Sequence, residues 1–296
     1  MSDQAQSLRQ LVVARSNMPV CPPDERPTKV ITVTSGKGGV GKSNFTLNFA
    51  ITLQKRGYRV LIFDADIGLA NIDVLMGIRS TYSLYHLLKK EKSIWEIIQP
   101  GHEGIHFIAG GSGFTDLLRL TEQELEDFAE QVSQLNGHFD YIIFDTGAGL
   151  SKETLKFILA AHETFVVTTP EPTSITDAYA IIKMIHQAEK GVVYRLIVNR
   201  VTDGREGRQT ADKITLTAKR FMDLDIPVLG YVSDDSSVTK AVKRQVPFTI
   251  AYPQSDAVRD IEDIAGRFLG TETAASGQIA GMKGFLNKML RLLNGS

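Results

Sequence analysis

From Lys29 to about Gly270, apolar runs of four to six residues alternate with amphipathic stretches of ten or more, the pattern of βα units around a mainly parallel sheet. Strands are predicted at residues 30–34, 60–63, 105–109, 141–144, 164–169, 195–198 and 228–232, most rich in Val, Ile and Phe as burial on both faces demands. The clearest helices are predicted at 43–56, closed by Gly57 at its C′ position, and at 121–135, 174–188 and 256–268. The expected fold is α/β, a doubly wound, mainly parallel sheet flanked by helices.

Both ends depart from this rhythm. In residues 1–18, Leu8, Leu11 and Val12 share helical spacing; a linker over 19–28 follows, where Pro19, Pro22, Pro23 and Pro27 stop any helix. The body spans 29–270. Residues 271–280 read as a flexible spacer, and 281–296 hold a last helix from about 282 to 293. There Met282, Phe285, Leu286, Met289, Leu290 and Leu293 form one stripe, while Lys283, Lys288 and Arg291 are the only charged side chains after Glu272. Such a basic amphipathic helix suits a phospholipid surface, where two copies would bind far better than one, or docking on its own domain.

Composition narrows the function. The 296 residues are 43% hydrophobic and 23% charged, with 33 Lys+Arg against 34 Asp+Glu. No overall basic field marks a nucleic-acid binder, and no apolar run approaches the roughly 18–20 residues that span a bilayer. Residues 1–18 lack a signal peptide's apolar core, and a single cysteine, Cys21, allows no internal disulfide. A reducing, cytoplasmic setting is expected.

Directly after the first predicted strand stands Gly36-Lys37-Gly38-Gly39-Val40-Gly41-Lys42-Ser43, and the helix pattern of 43–56 follows at once. Strand, glycine loop and helix make a P-loop: backbone N–H groups wrap phosphate, Lys42 reaches the β- and γ-phosphates, and Ser43 offers a hydroxyl to Mg²⁺. Nucleotide contacts are expected from Gly36 through Asn44. Acids end two strands, Asp145 after 141–144 and Asp64 after 60–63. A strand-end carboxylate is also a common cap or loop residue; after a P-loop, Ser43, Asp64 and Asp145 become the candidate metal ligands.

A second loop lysine, Lys37, would crowd its charge on Lys42 unless an anion or a neighbouring subunit takes it up. The motif resembles the deviant Walker A of the MinD/ParA ATPases, over about residues 29–270; Asp64 to Asp73 and Asp145 to Gly149 resemble that family's two switch segments. The resemblance implies ATP as substrate, Mg²⁺, slow hydrolysis and an ATP-dependent homodimer, with Lys37 crossing the interface and Asp66 orienting water beside Lys42. It also implies adenine contacts from Asn199 and Arg200 and from a loop with Ser233 and Asp234. On its own, Asn199 reads as a loop or cap residue.

Asp3 to Arg9, and Asp145 to Ser151, are most similar to the FlhG (YlxH) flagellar branch of the family. That branch implies regulation of flagellar number or placement, stimulation of the GTPase FlhF through Gln4, Leu8 or Arg9, a flagellar switch-complex partner, and peripheral membrane association when ATP is bound. Three alternatives remain open: a MinD-type division-site ATPase, a ParA-type DNA-segregation ATPase using segments 205–208 or 240–244, and a nucleotide-gated adaptor. No nucleic acid is the expected partner.

Overall fold

The computed structural model describes residues 27–66, 71–110, 121–149, 151–274 and 281–294. Its strands are β1 (Lys29–Ser35), β2 (Val60–Ala65), β3 (Gln99–Pro100), β4 (His106–Ile108), β5 (Tyr141–Ala148), β6 (Glu163–Thr168), β7 (Tyr194–Val201) and β8 (Val228–Ser233). They form one sheet in the order β3-β4-β2-β5-β1-β6-β7-β8, every pair parallel except β3 with β4. All residues of β1, β2 and β6 are buried, and polar ones among them pair across the sheet, Lys29 with Glu163 at 2.8 Å and Thr32 with Thr164 at 3.0 Å.

The helices are α1 (Lys42–Lys55), α2 (Ile72–Met76), α3 (Leu84–Leu88), α4 (Ile94–Ile97), α5 (Glu122–Ser133), α6 (Lys152–Ala160), α7 (Pro172–Ala188), α8 (Gly204–Met222), α9 (Ser236–Arg244), α10 (Phe248–Ala251), α11 (Asp256–Ala274) and α12 (Gly281–Asn294). Alternate strand residues sort the core in two. Ile31, Val33, Ile143 and Phe165 face α1 and α11 through Phe49 and Phe268; Val30, Ile142 and Phe144 face α5, α6 and α12. Further along that second face, Val166 and Val198 meet α7 and α8. Because the long strands are parallel, all their carboxyl ends open on one edge, where a ligand site belongs.

The predicted strands and long helices are present, with shifts of a few residues at their ends. Gly57 at φ +90° donates its N–H to Gln54, as a C′ glycine should. Two differences matter. The two-residue edge strand β3 contains Pro100, and α2 to α4 are only four or five residues long, too short for any periodicity to show. Helix α11 also runs on to Ala274, so the first four residues of the expected spacer are helical.

Of the two uses expected for the last helix, the structure shows docking on its own domain. Its stripe does not face lipid here. Met282, Phe285, Leu286 and Met289 are each at most 4% exposed, and Leu290 packs beside them. Phe285 stacks on Phe144 at 5.5 Å, and Lys288 pairs with Glu189 at 2.6 Å. Helix α12 thus closes the core between α5 and α6; the Leu293 side chain lies outside the described residues, as do Gln4, Leu8, Arg9 and residues 275–280. Among the described residues, no helix is long and apolar enough to cross a membrane.

Candidate nucleotide-binding site

The glycine loop between β1 and α1 has the backbone that its sequence requires. Gly39 and Gly41 take φ of +81° and +90°, a left-handed conformation that a side chain makes unfavourable by roughly 1–2 kcal/mol. A methyl group on Gly36 would lie 2.2 Å from the carbonyl carbon of Asp177, so the loop presses directly on α7. The N-terminus of α1 then points its free N–H groups at the loop.

Lys42, on the first turn of α1, donates to Asp145 Oδ1 at the end of β5 over 2.9 Å. Thr46, one turn further on, donates to the same oxygen at 2.8 Å. The other oxygen, Asp145 Oδ2, is buried with no hydrogen-bond partner. A buried anionic oxygen left bare is unfavourable, and a cation or its water shell beside Ser43 would satisfy it. This donor set therefore fits a divalent ion bound with phosphate.

Asp64 behaves differently. Its oxygens accept from the backbone N–H groups of Asn71, Ile72 and Asp66, tying down the start of α2. Burial, then the neighbouring Asp145 charge, push its carboxyl up to about 7. Asp66 lines the phosphate cavity and accepts from the Asn71 amide at 3.2 Å. Burial raises its pKa as well, against the lowering effect of Lys42.

Lys37 borders the same cavity as Lys42 but takes other partners. Its ammonium donates to the Glu171 carboxylate and to Thr173 Oγ1 at the start of α7, and Lys37 in turn holds the Glu171 carboxyl below the usual range. Two cations of one loop are thereby neutralised by different acids.

On the far side of the loop opens a cavity of about 820 Å³, bordered by Asn44, Asn199, Arg200, Ser233, Asp234 and Val238 among others; the phosphate cavity beside it holds about 260 Å³. Asn199 Nδ2 donates to Val40 O at 2.7 Å, across the space left by Gly41, where a Cβ would come within 2.3 Å of that nitrogen. Its carbonyl oxygen then remains the acceptor, which suits an exocyclic amine such as that of adenine. Ser233 is pinned by Asp260, and the Asp234 N–H by Val201 O.

Residues 36–44 and Asp64, Asp66, Asp145, Asn199, Arg200, Ser233 and Asp234 thus come to one edge of the sheet. The stripe of α12 lies elsewhere, against the second face. Sequence reasoning missed Thr46, Asn71, Glu171 and Thr173. Thr46 had a signal, since i+4 from Lys42 places it on the same helix face. Glu171 had none, because its contact with Lys37 spans 134 residues. A further groove of about 400 Å³ between α3, α4 and α5 is rimmed by charges that pair with one another, Lys90 with Asp127 and Lys92 with Glu96.

Comparisons with known proteins agree with this geometry. Residues 26–269 match the ParA family, described as NUBPL iron-transfer P-loop NTPase. The flagellum site-determining protein YlxH of Helicobacter pylori is 38% identical over 270 residues, 90% of this chain and 91% of that protein. The antiactivator FleN of Pseudomonas aeruginosa is 35% identical over 231 residues, 78% and 82% respectively. A chain of the MinC:MinD cell division protein complex of Aquifex aeolicus superposes with a TM-score of 0.68 at 26% identity, covering 82% of this chain and 96% of that one. With a two-lysine glycine loop, a strand-end carboxylate beneath it and relatives that match over nearly their whole length, this chain belongs to the ParA/MinD family of P-loop ATPases.

Proposed function

We propose that this ATPase is a dimerising switch that regulates flagellar number or placement, with ATP holding two chains together and hydrolysis releasing them. The flagellar assignment is supported by the likeness to YlxH and FleN. The observation that carries the switch is the parking of Lys37 on Glu171 and Thr173, away from the Lys42–Asp145 pair. A lysine of the phosphate loop that borders its own cavity but is held there by an exposed acid is available to a pocket facing it.

In this reading Lys42 leaves Asp145 for the β- and γ-phosphates. Ser43 and the bare oxygen of Asp145 would hold Mg²⁺, which would supply charge to neutralise the triphosphate. Asp66, braced by Asn71, aligns the attacking water, and Asn199 accepts from the adenine amine. The partner subunit's Lys37 completes the charge around the γ-phosphate, so turnover is slow in a lone chain.

Light scattering tests this directly. The chain is expected to be dimeric with a non-hydrolysable ATP analogue and monomeric with ADP, while Lys37→Ala binds the analogue but stays monomeric. A wild-type monomer at proven saturation rejects the switch.

Membrane cycling belongs to the same proposal. Helix α6, which follows Asp145 to Gly149 after two residues, supplies Phe157 and Ala160 to the cluster that α12 closes. Movement of that segment on triphosphate binding would loosen α12, and two released helices would hold a phospholipid surface by avidity, gaining on the order of 10² to 10⁴. The chain would then pass between cytoplasm and membrane, with a flagellar switch-complex protein as a further partner.

Residues 1–18 act in this proposal on the GTPase FlhF. A peptide of that segment is expected to raise FlhF turnover of GTP, and a peptide with Gln4 and Arg9 both changed to alanine is expected to lose the effect. An unchanged rate with the native peptide removes this role.

A further inference from the structure

We propose that Arg200 grips the bound nucleotide at its waist, by contact with the α-phosphate between base and phosphate tail. This rests on the nucleotide lying along the edge described above, and four observations on this chain lead to it.

The base cavity and the phosphate cavity share three bordering residues, Gly41, Asn44 and Arg200. A nucleotide that fills both must pass between them, with its ribose and α-phosphate at the junction. Gly41 has no side chain and Asn44 is neutral, so Arg200 is the one charged side chain common to the two cavities. Lys42 and Lys37 are engaged elsewhere, on Asp145 and on Glu171.

The guanidinium of Arg200 makes no hydrogen bond or ion pair among the described residues. Its charge still reaches the loop mouth, because it adds to the larger effect of Lys37 in holding the Glu171 carboxyl down. An arginine with its donors unspent at a phosphate cradle suits bidentate binding of phosphate oxygens.

The backbone has been bent to put it there. Arg200 takes φ +59°, in the left-handed region where a residue with a side chain is uncommon. The pairing of β7 with β8 slips between Asn199 and Val201, so Arg200 is the extra residue of an irregularity. Such slips re-aim a side chain at sheet ends beside functional sites. Without the slip, neighbouring residues of one strand would point to opposite faces, yet Asn199 and Arg200 border the same cavity.

The α-phosphate is common to ADP and ATP, so the contact strengthens both equally and leaves the choice between them to the γ-phosphate side. The test is calorimetric titration of ADP and a non-hydrolysable ATP analogue into wild type, Arg200→Gly and Arg200→Lys, with thermal melting of each in the absence of nucleotide. Arg200→Gly is expected to weaken ADP and the analogue by the same factor, about tenfold or more, as loss of a charge-assisted hydrogen bond implies. Its nucleotide-free melting temperature is expected to equal or exceed that of wild type, because glycine accepts the left-handed backbone freely. Arg200→Lys is expected to retain part of the affinity.

Unchanged affinity in Arg200→Gly overturns the proposal, as does a loss confined to the ATP analogue, which would put the contact on the γ-phosphate. A lower melting temperature in the nucleotide-free variant overturns it in favour of a structural role. Failure of wild type to bind either nucleotide would instead reject the site itself.

Discussion

Replacing Lys42 with methionine is expected to destabilise the nucleotide-free protein by about 3–5 kcal/mol while lowering ATP turnover at least about 10²-fold. The two effects have one origin. Lys42 and Asp145 form an ion pair at 2.9 Å, with side chains only 7% and 0% exposed. Removing the ammonium leaves a buried carboxylate with the Thr46 hydroxyl on one oxygen and nothing on the other. An uncompensated buried charge is much more costly than the pair is favourable, because the pair's attraction was largely spent on desolvating both ions.

The double variant Lys42→Met with Asp145→Asn therefore should recover most of the lost stability and none of the turnover. Urea unfolding and phosphate release measure the two sides separately. A single variant as stable as wild type would mean that the pair does not form in the nucleotide-free protein. The pair also ties the proposed mechanism to the fold, since nucleotide must displace an internal partner before Lys42 can serve the phosphates.

Phe285→Ala is expected to cost a further large amount, roughly 3–5 kcal/mol, by emptying the space between α12 and the sheet. Phe285 is 1% exposed and stacks on Phe144, which itself packs on Phe63 at 4.7 Å and Phe157 at 5.2 Å. For a chain of this length the melting temperature should fall by about 10 °C. Lys288→Ala, which breaks only the half-exposed pair with Glu189, should cost at most about 1 kcal/mol.

The same change separates the two fates of α12. Docked and lipid-bound states bury the same stripe, so a smaller residue at 285 weakens both, but only the docked state also leaves a cavity. Phe285→Ala should therefore shift the chain toward vesicles in a sedimentation assay even as it melts earlier. If it melts like wild type, α12 is not held in its groove in solution.

These cases show which parts of the molecule could be read in advance. The Lys42, Ser43 and Asp145 site was legible because a P-loop is a local device: strand, glycines and helix N-terminus are contiguous, and the acid ends an apolar strand. The C-terminal helix was legible as a helix and ambiguous in its use. A stripe of Met, Leu and Phe has the same spacing whether it meets lipid or a groove, and hydrophobic burial has no direction. The groove is built from Phe144, Phe157 and the inner side of α5, which lie 120 residues and more away in the chain.

Sequence by itself determined the parallel α/β architecture, the phosphate loop with its two lysines and the strand-end acids, because each depends on periodicity or on residues within one turn of each other. Tertiary structure alone decided that Lys37 rests on Glu171, that Asn199 braces the loop through Val40, that Arg200 stands between the two cavities and that α12 lies buried. Each of these joins elements far apart in the chain, and which distant partner wins is set by how the helices pack on the sheet, a competition that no local spacing records.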